Sequence, residues 1–506
     1  MTRSHLLAVL TALVSITSCQ LYAAPYSTNV LVSGTSVSFI LNEPADTLLY
    51  RVNSGVWQPL DGSSKGTKSF SLGAATDTFS IVAGKNDPLG YTIPTGGAPV
   101  VASANGLSQT TNPGGVNIIS DDANLLTRFN SPRGVSVSTN PNAPKFGTTY
   151  VSNSAAGATA GRNLGDGLYA VHADQSDAFG YGDTAQDPGN LFDGVAASAS
   201  SPFRVTVAPN GEVYVADFSD ANGNVYRLNS NMTSGAVVLQ GIGGPGTLPA
   251  GQNHGSTTSV HVEGSSATGD LILYTVDEDL RSSQFGGPVG DDRNSLWRYN
   301  INAGALPSNV TPTKVNTTNV LLPAATSDMQ RGTDGKFYLA QNRSAGNEAG
   351  VVVLDANGVK LYDSLTDSRA LLGNPAAVDI LRNVQGMAVS TDQTWLAVML
   401  NNSDVAVVPL VNGLPDLANR LIVDSANPDV NSGRDIAFDA AGNIHLVSSG
   451  TARYRVLSPG GVTYARTDFD GTNYSFAIGS TAIPEPSAMV LAGLALLGLA
   501  GLARRR

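Results

Sequence analysis

"FRVTVAPNGEVYVADFSDANGNVYRLN", Phe203 to Asn229, decides how this chain is read. A short strand leads to a turn with Gly, then to a second apolar strand that ends in Asp217. A loop follows, and then a third strand. The pattern recurs as "MQRGTDGKFYLAQNRSAGNEAGVVVLDANG" from Met329, "GMAVSTDQTWLAVMLNNSDVAVVPL" from Gly386 and "DIAFDAAGNIHLVSSGTARYRVLSPGG" from Asp435. Looser copies start at Gly134 and Ser259. The six starts are spaced by roughly fifty to seventy residues, a period expected of repeat architectures.

Each unit offers three or four short strands and cannot bury its apolar faces alone. Stacked radially, neighbouring sheets cover one another and the ring closes. The expectation is therefore an all-β chain with a β-propeller over residues 116–479. It has six blades, or seven if the chain ends share one, with residues near Asn117 to Phe129 completing a sheet that holds Thr463 to Ile478. The rival is a pair of β-sandwiches. No helix longer than about three turns is expected between Tyr26 and Gly479. In the segment Pro209 to Asp217 the units resemble NHL-repeat and gluconolactonase-like propellers.

Ahead of the repeats, residues 28–94 alternate as "VSFILNEPADTLLYRV" and "KSFSLGAATDTFSIVAG", which suits a small β-sandwich. "FILNEPAD" resembles a segment of bacterial Ig-like modules. Residues 95–115, rich in Gly, Pro, Ala and Thr, read as a linker.

The chain has 506 residues, of which 14% are charged, and a formal net charge of −11. An acidic protein repels phosphate backbones, so nucleic acid is not an expected partner. The single cysteine, Cys19, lies in the N-terminal segment, which leaves no internal disulfide and no thiolate metal site.

Both ends carry targeting features. Arg3, the apolar run Leu6 to Thr17 and the small residues Ala23 and Ala24 read as a signal peptide over residues 1–24. The fit is imperfect, because Leu21 or Tyr22 falls where a small residue is preferred and Pro25 follows. Ile16-Thr17-Ser18-Cys19 also resembles a bacterial lipoprotein box, in which Cys19 would be lipidated; otherwise Cys19 is a bystander. At the other end, residues 487–503 carry no charge. As a transmembrane helix they would span roughly 25 Å. Arg504, Arg505 and Arg506 would hold the end in the cytoplasm. Pro484-Glu485-Pro486 stands just before, kept extended by its prolines. These three parts, residues 483–506, resemble the PEP-CTERM sorting signal of Gram-negative bacteria that make extracellular polysaccharide. The resemblance implies processing by exosortase after use of the export machinery. It implies a transient inner-membrane anchor and a final place at the cell surface or in the extracellular matrix.

The repeats yield a candidate site. Second strands end near Asn153, Asp217, Asp277, Asn342 and Asn401. In a propeller these positions are equivalent, and Asp217, Asp277, Asn342 and Asn401 could converge on a Ca2+ ion or serve a general base. Gluconolactonase-like propellers use a comparable ring around a divalent metal. The plain alternative is that Asp and Asn form strand-end turns. His172, His261 and His445 sit on predicted strands at spacings that match no metal motif. Gly62 to Gly66 spells G-x-S-x-G around Ser64 but lacks a following helix. "DANGN" (Asp220 to Asn224) and "DFDGTN" (Asp468 to Asn473) resemble calcium-loop fragments without the distal Glu and read as turns. Trp57, Trp297, Trp395 and Tyr299 could line a sugar-binding face or pack in the core. Two functions remain: an envelope or matrix scaffold for polysaccharide or envelope proteins, and a secreted metal-dependent lactonase-like enzyme.

Overall fold

The computed structural model describes residues 23–86, 117–121, 123–184, 201–218, 225–239, 257–277, 294–301, 310–316, 326–342, 348–400, 404–423, 432–458 and 462–479. The described chain is all-β apart from short 3-10 turns and one α-helix, Ser364–Leu372. Asp363 caps that helix by accepting from Thr366 N at 2.7 Å. Gly373, left-handed at φ 61°, ends it.

Six antiparallel sheets follow one another along the chain. Sheet 1 contains Pro132–Val137, Thr149–Asn153 and Gly167–Val171. Sheet 2 runs from Arg204–Val207 through Val213–Ala216 and Val225–Leu228 to Gly235–Leu239. Sheet 3 begins with Thr257–Glu263 and Ile272–Asp277, sheet 4 with Thr326–Arg331 and Phe337–Gln341, and sheet 5 with Val384–Val389 and Trp395–Leu400. Sheet 6 holds Gly433–Phe438, Ile444–Ser448 and Arg453–Ser458, and its outer strand is Asn117–Ile118 from the far end of the chain. The first strand of each sheet packs on the first strand of the next, and that of sheet 6 packs on that of sheet 1. The result is a closed, propeller-like ring.

Side-chain alternation explains why the sheets stack radially. In sheet 2, Val213 and Val215 enter the core shared with sheet 1, while Tyr214 and Ala216 enter the core shared with sheet 3. Phe337 and Leu339 face sheet 3, and Tyr338 and Ala340 face sheet 5. Trp395 and Ala397 face sheet 6, and Leu396 and Val398 face sheet 4. Both faces of every second strand are buried, and in sheets 2 to 5 these strands read as nearly unbroken apolar runs. One apolar cluster fills each of the six junctions, the last between sheets 6 and 1 around Phe129, Val151, Tyr169 and Tyr454. Removing such a side chain from water contributes about 1.5–3 kcal/mol.

The N-terminal domain is a sandwich, with one correction to its expected limits. One sheet contains Ser27–Ser33, Ser36–Leu41 and Gly66–Ser71. The other contains Thr47–Val52, Gln58–Pro59 and Phe79–Asn86, and it is extended by Val462–Phe469 and Tyr474–Gly479. The reading of 116–479 as ring placed those last strands with Asn117 to Phe129. Val462–Phe469 pairs instead along the whole of Phe79–Asn86, Tyr474–Gly479 pairs with Val462–Phe469, and Asn117–Ile118 pairs with Leu457 and Ser458. The reason lies in packing: Phe469 meets Phe79 at a tilt and Tyr474 meets it edge-on, at 5.1 and 6.4 Å between ring centroids, against the sandwich core.

This arrangement predicts that residues 23–86 do not fold by themselves. Circular dichroism of that fragment is expected to show an unordered chain, and a peptide of residues 462–479 is expected to restore β signal. A fragment that folds without the peptide would contradict the shared domain.

Candidate functional site

The first strands bring one structurally equivalent residue from each sheet to the middle of the ring. By register these are Gly134 opposite Ser152, Arg204 opposite Ala216, Ser259 opposite Val276, Asp328 opposite Ala340, Gly386 opposite Met399 and Asp435 opposite Val447. In every sheet but the second, a β-bulge comes immediately before this residue. A bulge takes one residue out of the ladder and leaves its backbone groups in need of other partners.

Arg204 supplies those partners. Its guanidinium donates to the carbonyls of Arg133, Gln385 and Arg434, which are the bulged residues of sheets 1, 5 and 6. Its Nε lies 3.6 Å from Asp435 Oδ1 and 3.9 Å from Asp328 Oδ1. The carboxylates in turn bind neighbouring sheets. Asp435 Oδ2 accepts from Val135 N at 2.8 Å, and Asp328 Oδ2 accepts from Met387 N at 2.9 Å. Ser259 Oγ donates to Asp328 Oδ1 at 2.8 Å. All three charged side chains are buried. Burial pushes the Asp435 carboxyl well above the usual carboxylate range, against the downward pull of Arg204. Glycine at 386 leaves room for this set: a Cβ there would stand 2.5 Å from Asp435 Oδ1. The inner layer therefore spends its polar groups on holding sheets together.

The predicted strand-end residues are placed one step further along. Asp217 and Asp277 are equivalent residues of adjacent sheets, and each is bound within its own sheet. Ser201 Oγ donates to Asp217 Oδ1, and Thr257 Oγ1 donates to Asp277 Oδ2 at 3.3 Å. Asn153 likewise caps local backbone, accepting from Ser131 N at 2.8 Å and donating to Gly165 O at 2.7 Å. In sheet 4 the equivalent residue is Gln341, with Asn342 one position beyond. Asn401 lies outside the described residues. Among the described residues, no three His, Cys, Asp or Glu side chains gather as a metal site.

The other candidates resolve as structural parts. Trp297 and Tyr299 sit in the core between sheets 2 and 3, and Trp395 in that between sheets 5 and 6. Trp57 lies beneath the Arg51 guanidinium, 4.7 Å from its ring centroid. Asp470 closes a hairpin by accepting from Thr472 N and Asn473 N at 2.8 Å. Lys68 donates to Ser64 Oγ at 3.2 Å in a turn that leads to a strand. His172 Nδ1 meets Asn29 Nδ2 of the sandwich at 3.1 Å, and His261 packs beside Tyr274. His445 is enclosed. Its Nδ1 is 2.8 Å from Tyr454 Oη and 3.2 Å from Thr149 Oγ1, and its Nε2 is 3.3 Å from Asp439 Oδ2. This group joins sheets 6 and 1 and is too deeply buried to meet a substrate. Residues 220–224, Cys19 and the whole tail from 480 lie outside the described residues. Among the described residues no helix is long and apolar enough to cross a membrane.

Comparison with known proteins adds one family. Residues 482–506 match the PEP-CTERM protein-sorting motif. The chain is thus an exported protein that carries the signal recognised by exosortase. No curated protein matches the chain. Among solved structures, a protein of unknown function from Bacteroides thetaiotaomicron is similar over 86% of this chain and 99% of its own, at 12% identity and a TM-score of 0.42. The WD40 β-propeller domain of Doa1 is similar over 68% of this chain and 97% of its own, at 12% identity and a TM-score of 0.38. The propeller-like ring described above rests on strand pairing and packing, independently of these likenesses.

Asp217 gives a pH test. Burial pushes its carboxyl up to about 7. Its folded value is raised, so its stabilising contribution is complete below the unfolded value near ~4 and is lost as pH rises through the folded one. Asp217→Asn carries no charge to bury. The variant is expected to melt a few degrees above the parent at pH 8 and level with it near pH 4. A difference that does not change with pH would contradict this.

Proposed function

We propose that this chain is an exported cell-envelope or extracellular-matrix protein whose six-bladed β-propeller is a binding scaffold for extracellular polysaccharide or envelope proteins. The PEP-CTERM match over residues 482–506 is the observation that carries the reading, because it fixes the delivery route. The six sheets and their closed first-strand contacts support the blade count. The sandwich built from both chain ends supports an Ig-like module beside the ring. Residues 487–503 would anchor the precursor in the inner membrane, with Arg504, Arg505 and Arg506 on the cytoplasmic side. Exosortase would then cut near Pro484-Glu485-Pro486 and release the folded part to the surface.

The alternative, a secreted lactonase-like enzyme related to NHL or gluconolactonase propellers, needs Asp217, Asp277, Asn342 and Asn401 to share a Ca2+ ion. The donor set fits poorly: Asp217 and Asp277 already accept from hydroxyls beside them, and the inner-layer carboxylates Asp328 and Asp435 face Arg204. The scaffold reading draws its support from this.

The test follows the tail. In the native host, Pro484-Glu485-Pro486 changed to three alanines is expected to keep the protein in the inner-membrane fraction with Arg506 intact. The parent should reach the surface fraction with its C-terminus ending before Ser487. Parent protein recovered from the surface with Arg506 still present would overturn the sorting route. One tightly bound calcium per surface protein, seen by calorimetry, would favour the enzyme.

A further inference from the structure

Ala23 and Ala24 stand where the signal peptide was expected to end. The structure instead builds both into the fold. Ala23 O accepts from the buried Thr463 Oγ1 at 2.7 Å. Ala24 is fully enclosed in a cluster with Tyr26, Phe146, Ala440, Ala441 and Ala465. Pro25 is buried between them and Tyr26. Tyr26 continues the anchorage: its N donates to Asn42 Oδ1 at 2.7 Å, and its ring meets Phe146 and Phe476 edge-on at 5.8 and 5.6 Å. The cluster joins the sandwich to the ring through sheets 1 and 6.

We infer that the export cut lies on the N-terminal side of Ala23, so that the mature protein keeps both alanines. The inference rests on the export reading above. The step is hydrolysis of one peptide bond. Water gives its hydroxyl to the carbonyl carbon of the departing signal and a proton to the amide nitrogen, and the new terminus then takes a further proton to become an ammonium. A cut at Ala23–Ala24 would set that ammonium inside the apolar cluster and remove the carbonyl bound by Thr463. A cut at Ala24–Pro25 would set it on buried Pro25 and delete the enclosed Ala24 methyl. A buried charge without a partner is costly. Two carboxylates act on the neighbouring Tyr26, and each already holds a partner: Glu43 Oε2 accepts from Lys85 Nζ at 2.7 Å, and Asp439 Oδ1 accepts from Ala441 N and Asn443 N.

Mass spectrometry of the N-terminal peptide, on protein recovered from the native envelope, tests this. The first residue is expected between Cys19 and Ala23. Ala24 or Pro25 as first residue would overturn the inference and leave the export reading standing. Full-length protein retaining Met1 in the cytoplasm would sink the export reading and the inference with it. As a second measurement, a precursor re-engineered so that cleavage leaves Pro25 first is expected to yield protein melting several degrees lower. Equal melting would also overturn the inference.

Discussion

Arg204 sets the terms for the rest of this molecule. A ring of sheets leaves a polar problem at its centre, because the first strands bulge and turn backbone carbonyls away from their ladders. One guanidinium meets three of those carbonyls and faces the carboxylates of Asp328 and Asp435. Its fixed fork of donors suits several fixed acceptors at once, which an ammonium could not match. Through these bonds sheet 2 is tied to sheets 1, 4, 5 and 6. Asp328 and Asp435 then bind sheets 5 and 1 through backbone amides. With its single cysteine at position 19, the chain closes its ring by packing and by this charge set, without a disulfide.

Both ends of the described chain meet in the sandwich: Ala23 O accepts from Thr463 Oγ1, and Tyr474–Gly479 is the last described strand. The sandwich joins the ring through Phe146, Ala440 and Ala441.

Much of the ring was legible in the sequence. The six repeat starts all fall in, or directly before, the first strands of the six sheets, because Gly-containing turns and apolar second strands recur with the structural unit. The allegiance of residues 462–479 was not legible. Period-2 alternation announces a strand but does not name its partner, and the aromatic contacts of Phe469 and Tyr474 with Phe79 span most of the chain. The central layer was missed for a related reason. Arg204, Asp328 and Asp435 look like ordinary surface charges when taken singly. Had the repeats been aligned on their first strands, the three would have shared one column with two glycines and a serine. Asp217 and Asp277 occupy equivalent strand-end positions. Asn342 stands one position beyond its equivalent, because sheet 4 carries Gln341 at the matching point.

Equilibrium denaturation of Arg204→Met bears most directly on the role given to the inner layer. Removing one partner of a buried ion pair costs about 3–5 kcal/mol. The variant is therefore expected to unfold at clearly lower denaturant, and adding Asp328→Asn with Asp435→Asn should recover much of the loss. A midpoint for Arg204→Met equal to that of the parent would mean that the ring holds without its central cation.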